Sequence, residues 1–336
     1  MKVYQLVGAL TLLNCTSTSG VDSGVLPDSA VPDSGAIDAN GVIDSGAADA
    51  SIDAADAAVV DASEGGVQAS VVIAAAGDIS DDVLANQQKT SDLIFGKGYD
   101  AVLLLGDNQY EAGSLADYKK YYEPTWGRFK SITYPAPGNH EYGTSNATGY
   151  YSYFGTQAGA ATKGYYSFDL GSWHVVAINT NDGCSAVGCS ASSAQVTWLK
   201  DDLQKNAKKC TLAFWHHPRF NSGASHGNFT GAQALWDTLY AAGADVVLNG
   251  HEHVYERFDP QDPSGVADSQ KGIRQFTVGT GGRAFYAFGT TKANSVVRRS
   301  DTYGILKMTL KADSYDWAFV PIAGSTFTDT GSGTCH

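Results

Sequence analysis

Five apolar runs in this chain each end on a side chain able to hold a metal ion. They are VVIAAAGD (71–78), DAVLLLGDN (100–108), the short run that leads into GNHE (138–141), TLAFWHH (211–217) and DVVLNGHEH (245–253). The runs are continuous rather than alternating, which reads as strands buried on both faces. Helical spacing occupies residues 81–97, 114–129, 191–207 and 230–242, and YYSFDL with SWHVVAINT (165–180) reads as a hairpin. Strands separated by helices predict an α/β fold. The strand-rich C-terminal part, with IRQFTVGTGG, YGILKMTLKA and SYDWAFVPI, predicts a second, mixed sheet.

Ligand sites in open α/β sheets collect beyond the carboxyl ends of strands. Asp78, Asp107, Asn139, His216, His251 and His253 all stand there. Singly, each has a blander explanation: Asp78 and Asp107 as helix N-caps, Asn139 as a turn residue, a lone His as part of a core. Together they favour one shared site. Gly77, Gly106, Gly138 and Gly250 precede them and would let the backbone turn sharply. Carboxylates, imidazoles and an amide oxygen, with no thiolate, suit Zn, Mn or Fe. The set is too large for one tetrahedral ion and predicts two, roughly 3.5–4 Å apart, sharing a bridging carboxylate. Such a pair turns bound water into hydroxide for in-line attack on phosphorus, and a nearby His protonates the leaving alkoxide. VGTGG (278–282) lacks the rest of a phosphate-cradling loop and reads as a turn at the site rim.

GD at 77–78, GDNQY at 106–110, GNHE at 138–141, WHHP at 215–218 and GHEHVYER at 250–257 resemble, in order and spacing, the calcineurin-like metallophosphoesterases. Within that superfamily they are most similar to the purple acid phosphatase branch. The resemblance implies a four-layer αββα sandwich with two mixed β-sheets and a dimetal site at strand C-termini. It implies Asp78, Asp107, Tyr110 and His253 on the first metal, Asp107 bridging, and Asn139, His216 and His251 on the second. His140 resembles the histidine that contacts the substrate phosphate and donates the leaving-group proton. Glu141 would orient a neighbour. His226, in SGASHGN, resembles a loop histidine near the substrate, against an ordinary surface His. Tyr110, three residues past the bridging Asp, resembles the tyrosinate that binds Fe(III) in the purple branch, against a packed aromatic. The metal pair implied is Fe(III) with Zn, Mn or Fe(II).

His216 and His217 are adjacent, and successive strand residues point to opposite faces. Only one is therefore expected to ligate, which by the family pattern is His216, with His217 either packing or supporting a neighbouring ligand. The activity implied is a phosphomonoesterase of broad specificity, acting on small phosphate esters. A phosphodiesterase acting on nucleotides or lipid head groups would use the same centre. A catalytically silent surface-binding module would be favoured by a missing ligand.

Residues 1–66 fall outside the resemblance. Residues 3–13 are a short apolar stretch behind Lys2, and LLNC (12–15) resembles a lipobox that would lipidate Cys15, although Asn14 departs from the usual small residue. Residues 16–66 are Ser, Gly, Ala and Asp without an aromatic residue, which predicts a disordered tether rather than a calcium-binding array. The expected organisation is a lipoprotein-type signal (1–15), a linker (16–66) and a catalytic domain (67–336), exported as a lipoprotein anchored at the cell surface or outer membrane, or else secreted or periplasmic. Residues 1–66 carry −9 of the chain's −13 charge. The folded part therefore carries only −4, with no basic patch for nucleic acid and no run of 18 apolar residues. No protein partner is inferred. Cys184, Cys189, Cys210 and Cys335 allow three pairings, and an even count in an exported chain favours disulfides. Cys184 and Cys189 bracket a short Gly-containing loop, which favours their mutual pairing and that of Cys210 with Cys335.

Overall fold

The run Ala101–Leu105 carries no polar side chain and is buried at all five positions. A segment of this kind is stable only with neighbours on both faces and both edges. The computed structural model, which describes residues 70–81 and 86–336, supplies them. The expected signal segment and linker lie outside the described residues. In chain order the strands are β1 (Val71–Ala76), β2 (Ala101–Leu105), β3 (Thr133–Ala136), β4 (Tyr166–Leu170), β5 (Trp173–Ala177), β6 (Cys210–Phe214), β7 (Val246–Asn249), β8 (Tyr255–Phe258), β9 (Arg274–Val278), β10 (Ser295–Arg299), β11 (Gly304–Leu310), β12 (Ser314–Pro321) and β13 (Thr330–Thr334).

They form two sheets, ordered β13-β12-β11-β1-β2-β3 and β10-β8-β9-β7-β6-β5-β4. Both are mixed. β1, β2 and β3 run parallel, with Ile73 opposite Ala101 and Val102 opposite Thr133, while β11 is antiparallel to β1. In the second sheet β5, β6, β7 and β9 are parallel, and β4, β8 and β10 pair antiparallel.

Alternation along the second sheet shows the layering. Val175, Ala177, Leu212, Phe214, Val246 and Leu248 point into one core with Leu103, Leu105 and Ile305 of the first sheet. Their neighbours Val176, Ala213 and Val247 point the other way, onto Val196, Leu199, Leu235, Trp236 and Leu239 of the helices Ala194–Lys205 and Gln233–Ala241. Tyr118, Tyr122, Trp126, Tyr150 and Phe154 add an aromatic layer to the first core. The molecule is thus an α/β sandwich of two mixed sheets with helices. Truncating a fully buried core residue such as Leu103 to Ala would cost about 2–5 kcal/mol.

Several expected elements differ in extent. The helix expected over 81–97 is Asn86–Ser91, followed by a tighter turn and by Gly96 and Gly98, both at positive φ. The helix expected over 114–129 is three helical turns of different pitch, Leu115–Asp117, Tyr118–Tyr122 and Trp126–Ile132, and the break before the last falls at Pro124, which has no N–H to continue the ladder. Its apolar stripe survives, since Tyr118, Tyr122 and Trp126 are all fully buried. The helix Thr148–Phe154 and the strands β8, β10 and β13 had no separate signal. β13 reads TGSGT and is held by its pairing with β12, not by its own composition. The helix expected over 191–207 is Ala194–Lys205, starting three residues later because Ser193 caps it, its Oγ accepting from the Val196 N–H at 3.2 Å, a cap worth about 1 kcal/mol. Both favoured disulfides are present, Cys184–Cys189 and Cys210–Cys335.

Candidate metal centre

The parallel strands of the two sheets end at one place. Beyond β1 and β2 the loops continue side by side: the Asp78 N–H donates to Gly106 O (3.1 Å), Ile79 to Asp107 O (3.0 Å) and Ser80 to Asn108 O (3.2 Å). The second sheet joins them through the Gly77 N–H on Val278 O at 2.9 Å and His216 Nδ1 on Leu105 O at 2.8 Å. The sharp turns fall on the polar residues themselves. Asp78, Asp107 and His251 have φ of 59°, 49° and 70°, a left-handed conformation costing on the order of 1 kcal/mol for a non-glycine residue. Of the four neighbouring glycines only Gly106 has positive φ. Their shared property is close approach: a Cβ on Gly106 would lie 2.6 Å from His216 Nδ1, and one on Gly138 2.2 Å from Asp107 Oδ1.

All seven expected ligands meet here. Tyr110 Oη is 2.9 Å from Asp78 Oδ1, 3.2 Å from Asp107 Oδ2 and 3.1 Å from His253 Nε2. On the other side of Asp107, His216 Nε2 is 3.1 Å from the same Oδ2, 3.2 Å from Asn139 Oδ1 and 3.1 Å from His251 Nδ1. Asp107 Oδ2 is therefore common to two groups of donors, while its Oδ1 accepts from the His140 N–H at 2.8 Å. His216 and His253 each donate Nδ1–H to a backbone carbonyl, Leu105 O and Ala284 O, which turns both Nε2 atoms inward.

Without a cation these groups oppose one another. Burial pushes the Asp78 carboxyl up to about 8, with the Asp107 charge adding to it. Burial works against Asp107 too, but His216 and His140 hold it well below the usual carboxylate range. His216 is correspondingly raised to about 9, as Asp107 outweighs the cost of burial. Burial lowers His253 to about 4 and holds His251 far below its ordinary value, with His216 and His217 adding to the latter. Two buried carboxylates, three imidazoles, a phenol and an amide oxygen converging within hydrogen-bond distance fit the donor set for two cations.

His217 differs from the expectation of a side chain turned to the opposite face. Strand β6 ends at Phe214, so the alternation of an extended strand no longer governs residues 215–217. His217 packs 4.3 Å from the His251 ring, with Nδ1 2.9 Å from Thr180 Oγ1. Its ligand atom lies within 4.8 Å of those of His216 and His251, and Asp78, Asp107 and His216 form a second such group. Cys210, Asp245 and Cys335 also cluster, but there both sulfurs are in a disulfide.

His140 and His226 stand on the solvent side, their side chains 30% and 36% exposed. The His140 ring is 4.3 Å from that of Tyr110, and the His226 ring 4.0 Å from that of His251. Glu141 is fully buried beneath: its carboxylate accepts from the N–H groups of Asp107 (2.9 Å), Asn108 (2.8 Å) and Gly138 (2.7 Å) and from Tyr118 Oη (2.9 Å). It thereby ties the loops after β2 and β3 together. Four residues had no assigned part. Arg283 lies 4.5 Å over the Tyr110 ring and pairs with Asp81 and Glu111. Tyr286 stacks on His253 at 4.0 Å, and Asn221 and Glu252 hold the His226 loop. Only Glu252, written into GHEH, carried a visible signal. VGTGG does form a turn at the rim, with the Gly281 N–H on Gly77 O at 3.0 Å.

Residues 71–255 match the family model described as calcineurin-like phosphoesterase. The chain is 31% identical over 194 residues to purple acid phosphatase 15 of Arabidopsis thaliana, covering 47% of this chain and 36% of that one. It is 32% identical over 187 residues to acid phosphatase type 7 of Homo sapiens, covering 48% and 41%. It thus spans less than half the length of these relatives. Among solved structures it resembles purple acid phosphatase PPD1 of yellow lupin (Lupinus luteus), with a TM-score of 0.66 at 16% identity, covering 80% of this chain and 54% of that one. It also resembles GAP50 of Plasmodium, described as the anchor in the inner membrane complex, with a TM-score of 0.63 at 19% identity, covering 80% and 90%.

Proposed function

The chain belongs to the calcineurin-like phosphoesterase family, and from that premise we propose that it is a dimetal phosphohydrolase acting preferentially on phosphate monoesters. The observation that carries this reading is Asp107 Oδ2, 3.2 Å from Tyr110 Oη on one side and 3.1 Å from His216 Nε2 on the other. One carboxylate oxygen between two donor groups is the arrangement a bridged metal pair requires. Asp78, Asp107, Tyr110 and His253 would hold the first ion and Asp107, Asn139, His216 and His251 the second. Tyr110 favours Fe(III) at the first position, with Zn, Mn or Fe(II) at the second. Bound there, the two ions supply Lewis acidity toward the phosphate and lower the pKa of water.

The chain's own groups do the rest. Asp107 is kept ionised and is aimed by the His140 N–H. His140 and His226 hold phosphate oxygens from the solvent side, and a ring N–H of one gives its proton to the leaving alkoxide. Glu141 keeps the Asp107 and Asn139 loops in register through backbone donors.

The reading includes export. Residues 3–15 have the character of a signal ending at a lipidated Cys15, 16–66 that of a tether, and 67–336 that of the catalytic unit. Two disulfides are in keeping with an oxidising compartment. Among the described residues no helix is long and apolar enough to cross a membrane.

The test is hydrolysis of a chromogenic phosphate monoester and the matching diester by the metal-analysed full chain, with Asp107→Asn as control. Faster monoester turnover that vanishes in the variant supports the proposal. Faster diester turnover moves the activity to a phosphodiesterase on the same centre. Two bound metals with no turnover of either overturns the reading in favour of a binding module.

A further inference from the structure

Glu252 stands between the two histidines of GHEH and is fully buried, yet its carboxylate turns away from the ligand cluster. It lies beneath the loop 221–226. Oε2 accepts from Asn221 Nδ2 at 2.9 Å and from the His226 N–H at 3.2 Å, and lies 3.0 Å from His226 Nδ1. Oε1 accepts from the Ser225 N–H at 3.2 Å. The loop crosses the carboxylate at Gly223, where a Cβ would come within 2.0 Å of Glu252 Cδ. A second hold comes from the opposite side, as Ala224 N–H donates to Ala287 O (2.9 Å) and Gly289 N–H to Ser222 O (2.8 Å).

Backbone donors alone would account for a buried carboxylate under a loop. The contact with the imidazole adds something else. A carboxylate only accepts, so the hydrogen between Glu252 and His226 sits on Nδ1. The ring cannot rotate without losing that bond, and it is packed between His251 at 4.0 Å and Tyr286 at 5.4 Å.

We propose that Glu252 is a positioning residue that fixes the Nδ1–H form of His226 and its ring orientation, so that His226 exchanges protons with substrate only through Nε2. The role rests on the phosphohydrolase reading above, but the tautomer does not. His216 and His253 are fixed by the same device, with backbone carbonyls in place of the carboxylate.

The tautomer is read by long-range proton–nitrogen correlation on the zinc-loaded full chain labelled with ¹⁵N-histidine. His226→Asn identifies the resonances. The expected result is a His226 ring protonated at Nδ1 in the wild type and a shift toward the other tautomer in Glu252→Gln, which offers one acceptor where the carboxylate offers two. A wild-type ring protonated at Nε2 alone, or a pattern unchanged in Glu252→Gln, overturns the proposal. Kinetics provides the second readout. Glu252→Gln should lower kcat on an alkyl phosphate by at least about 10-fold, a fraction of the 10²–10⁴ assigned to positioned proton transfer, with KM little changed. The loss should be smaller on nitrophenyl phosphate, whose leaving group needs no proton, and should vanish in the His226→Asn background. An equal loss on both esters, or the same loss with and without His226, makes Glu252 merely structural. If the wild type hydrolyses neither ester, the functional reading fails while the tautomer still decides the role of Glu252.

Discussion

The phenolic oxygen of Tyr110 lies 2.9 Å from Oδ1 of Asp78, a residue 32 positions earlier in the loop that follows β1. Burial raises the Tyr110 pKa well above 10, and the Asp107 and Asp78 carboxylates add to it. Without a cation the phenol therefore keeps its proton at neutral pH and donates it to Asp78. Only a strongly charged ion in place of that proton can stabilise the phenolate here. Iron-loaded protein should absorb broadly in the visible, and Tyr110→Phe should bleach it with the fold intact. A colourless, fully active wild type would remove the tyrosinate while leaving the metal pair.

Asp107→Asn removes the one charge shared by both donor groups. Losing several kcal/mol of metal-assisted stabilisation corresponds to a fall in kcat/KM on the order of 10³-fold. Metal analysis should show less than two ions per chain. Two retained ions with near-normal turnover would exclude a bridging role.

Glu141 and His140 are adjacent but should separate cleanly. Glu141→Gln withdraws an acceptor from a set of backbone donors spanning two loops, and should weaken metal binding by about 10–100-fold. His140→Ala leaves those loops tied and should retain both ions while lowering kcat. Equal metal loss in the two variants would show that Glu141 has no special part in holding the loops. Competition with a chelator measures both.

Away from the site, His174 sits between Asp202 Oδ2 at 2.8 Å and Asp169 Oδ1 at 3.0 Å. Burial opposes its charge, but Asp202 and Asp169 outweigh it and raise its pKa above the ordinary 6.5. The stability this gives is present in full below 6.5 and is lost as pH rises through the higher folded value. Burial also opposes ionisation of Asp202, but His174 and Ser167 hold its pKa below 3.8. Its share is therefore present above 3.8 and lost on acidification through the lowered folded value. Asp202→Asn should cost about 2 kcal/mol at pH 5–6 and less above neutrality, by urea unfolding of the full chain. A cost independent of pH would contradict the charged pair.

The Cys210–Cys335 bond joins the start of β6 to the chain's last residues across a separation of 125. Cys335→Ser should lower stability by about 4 kcal/mol, whereas opening the five-residue separation of Cys184–Cys189 should cost less. Thermal unfolding of the two variants compares them directly, and the reverse order would overturn the assignment.

Much of the site could be read before the structure was known. Asp78, Asp107, Asn139, His216 and His251 each follow an apolar run, and strand ends in a parallel sheet are forced to one side by the direction of the chain. Buried strands are legible because they have no polar side chains, and parallel order follows from the helical spacing between them. Edge strands such as TGSGT carry no such signal, since their partner supplies their stability.

The sequence by itself therefore determined which polar side chains stand at the strand ends, their order along the chain and the sheet edge they share. Only the tertiary structure decided which atoms face one another. The strained backbone at Asp78, Asp107 and His251 is held by packing from both sheets, not by local propensity. His217 joins the cluster because β6 stops before it. Glu252 turns from its two histidine neighbours to the His226 loop because Gly223 leaves room above its carboxylate, an arrangement between residues 29 positions apart that no local pattern encodes.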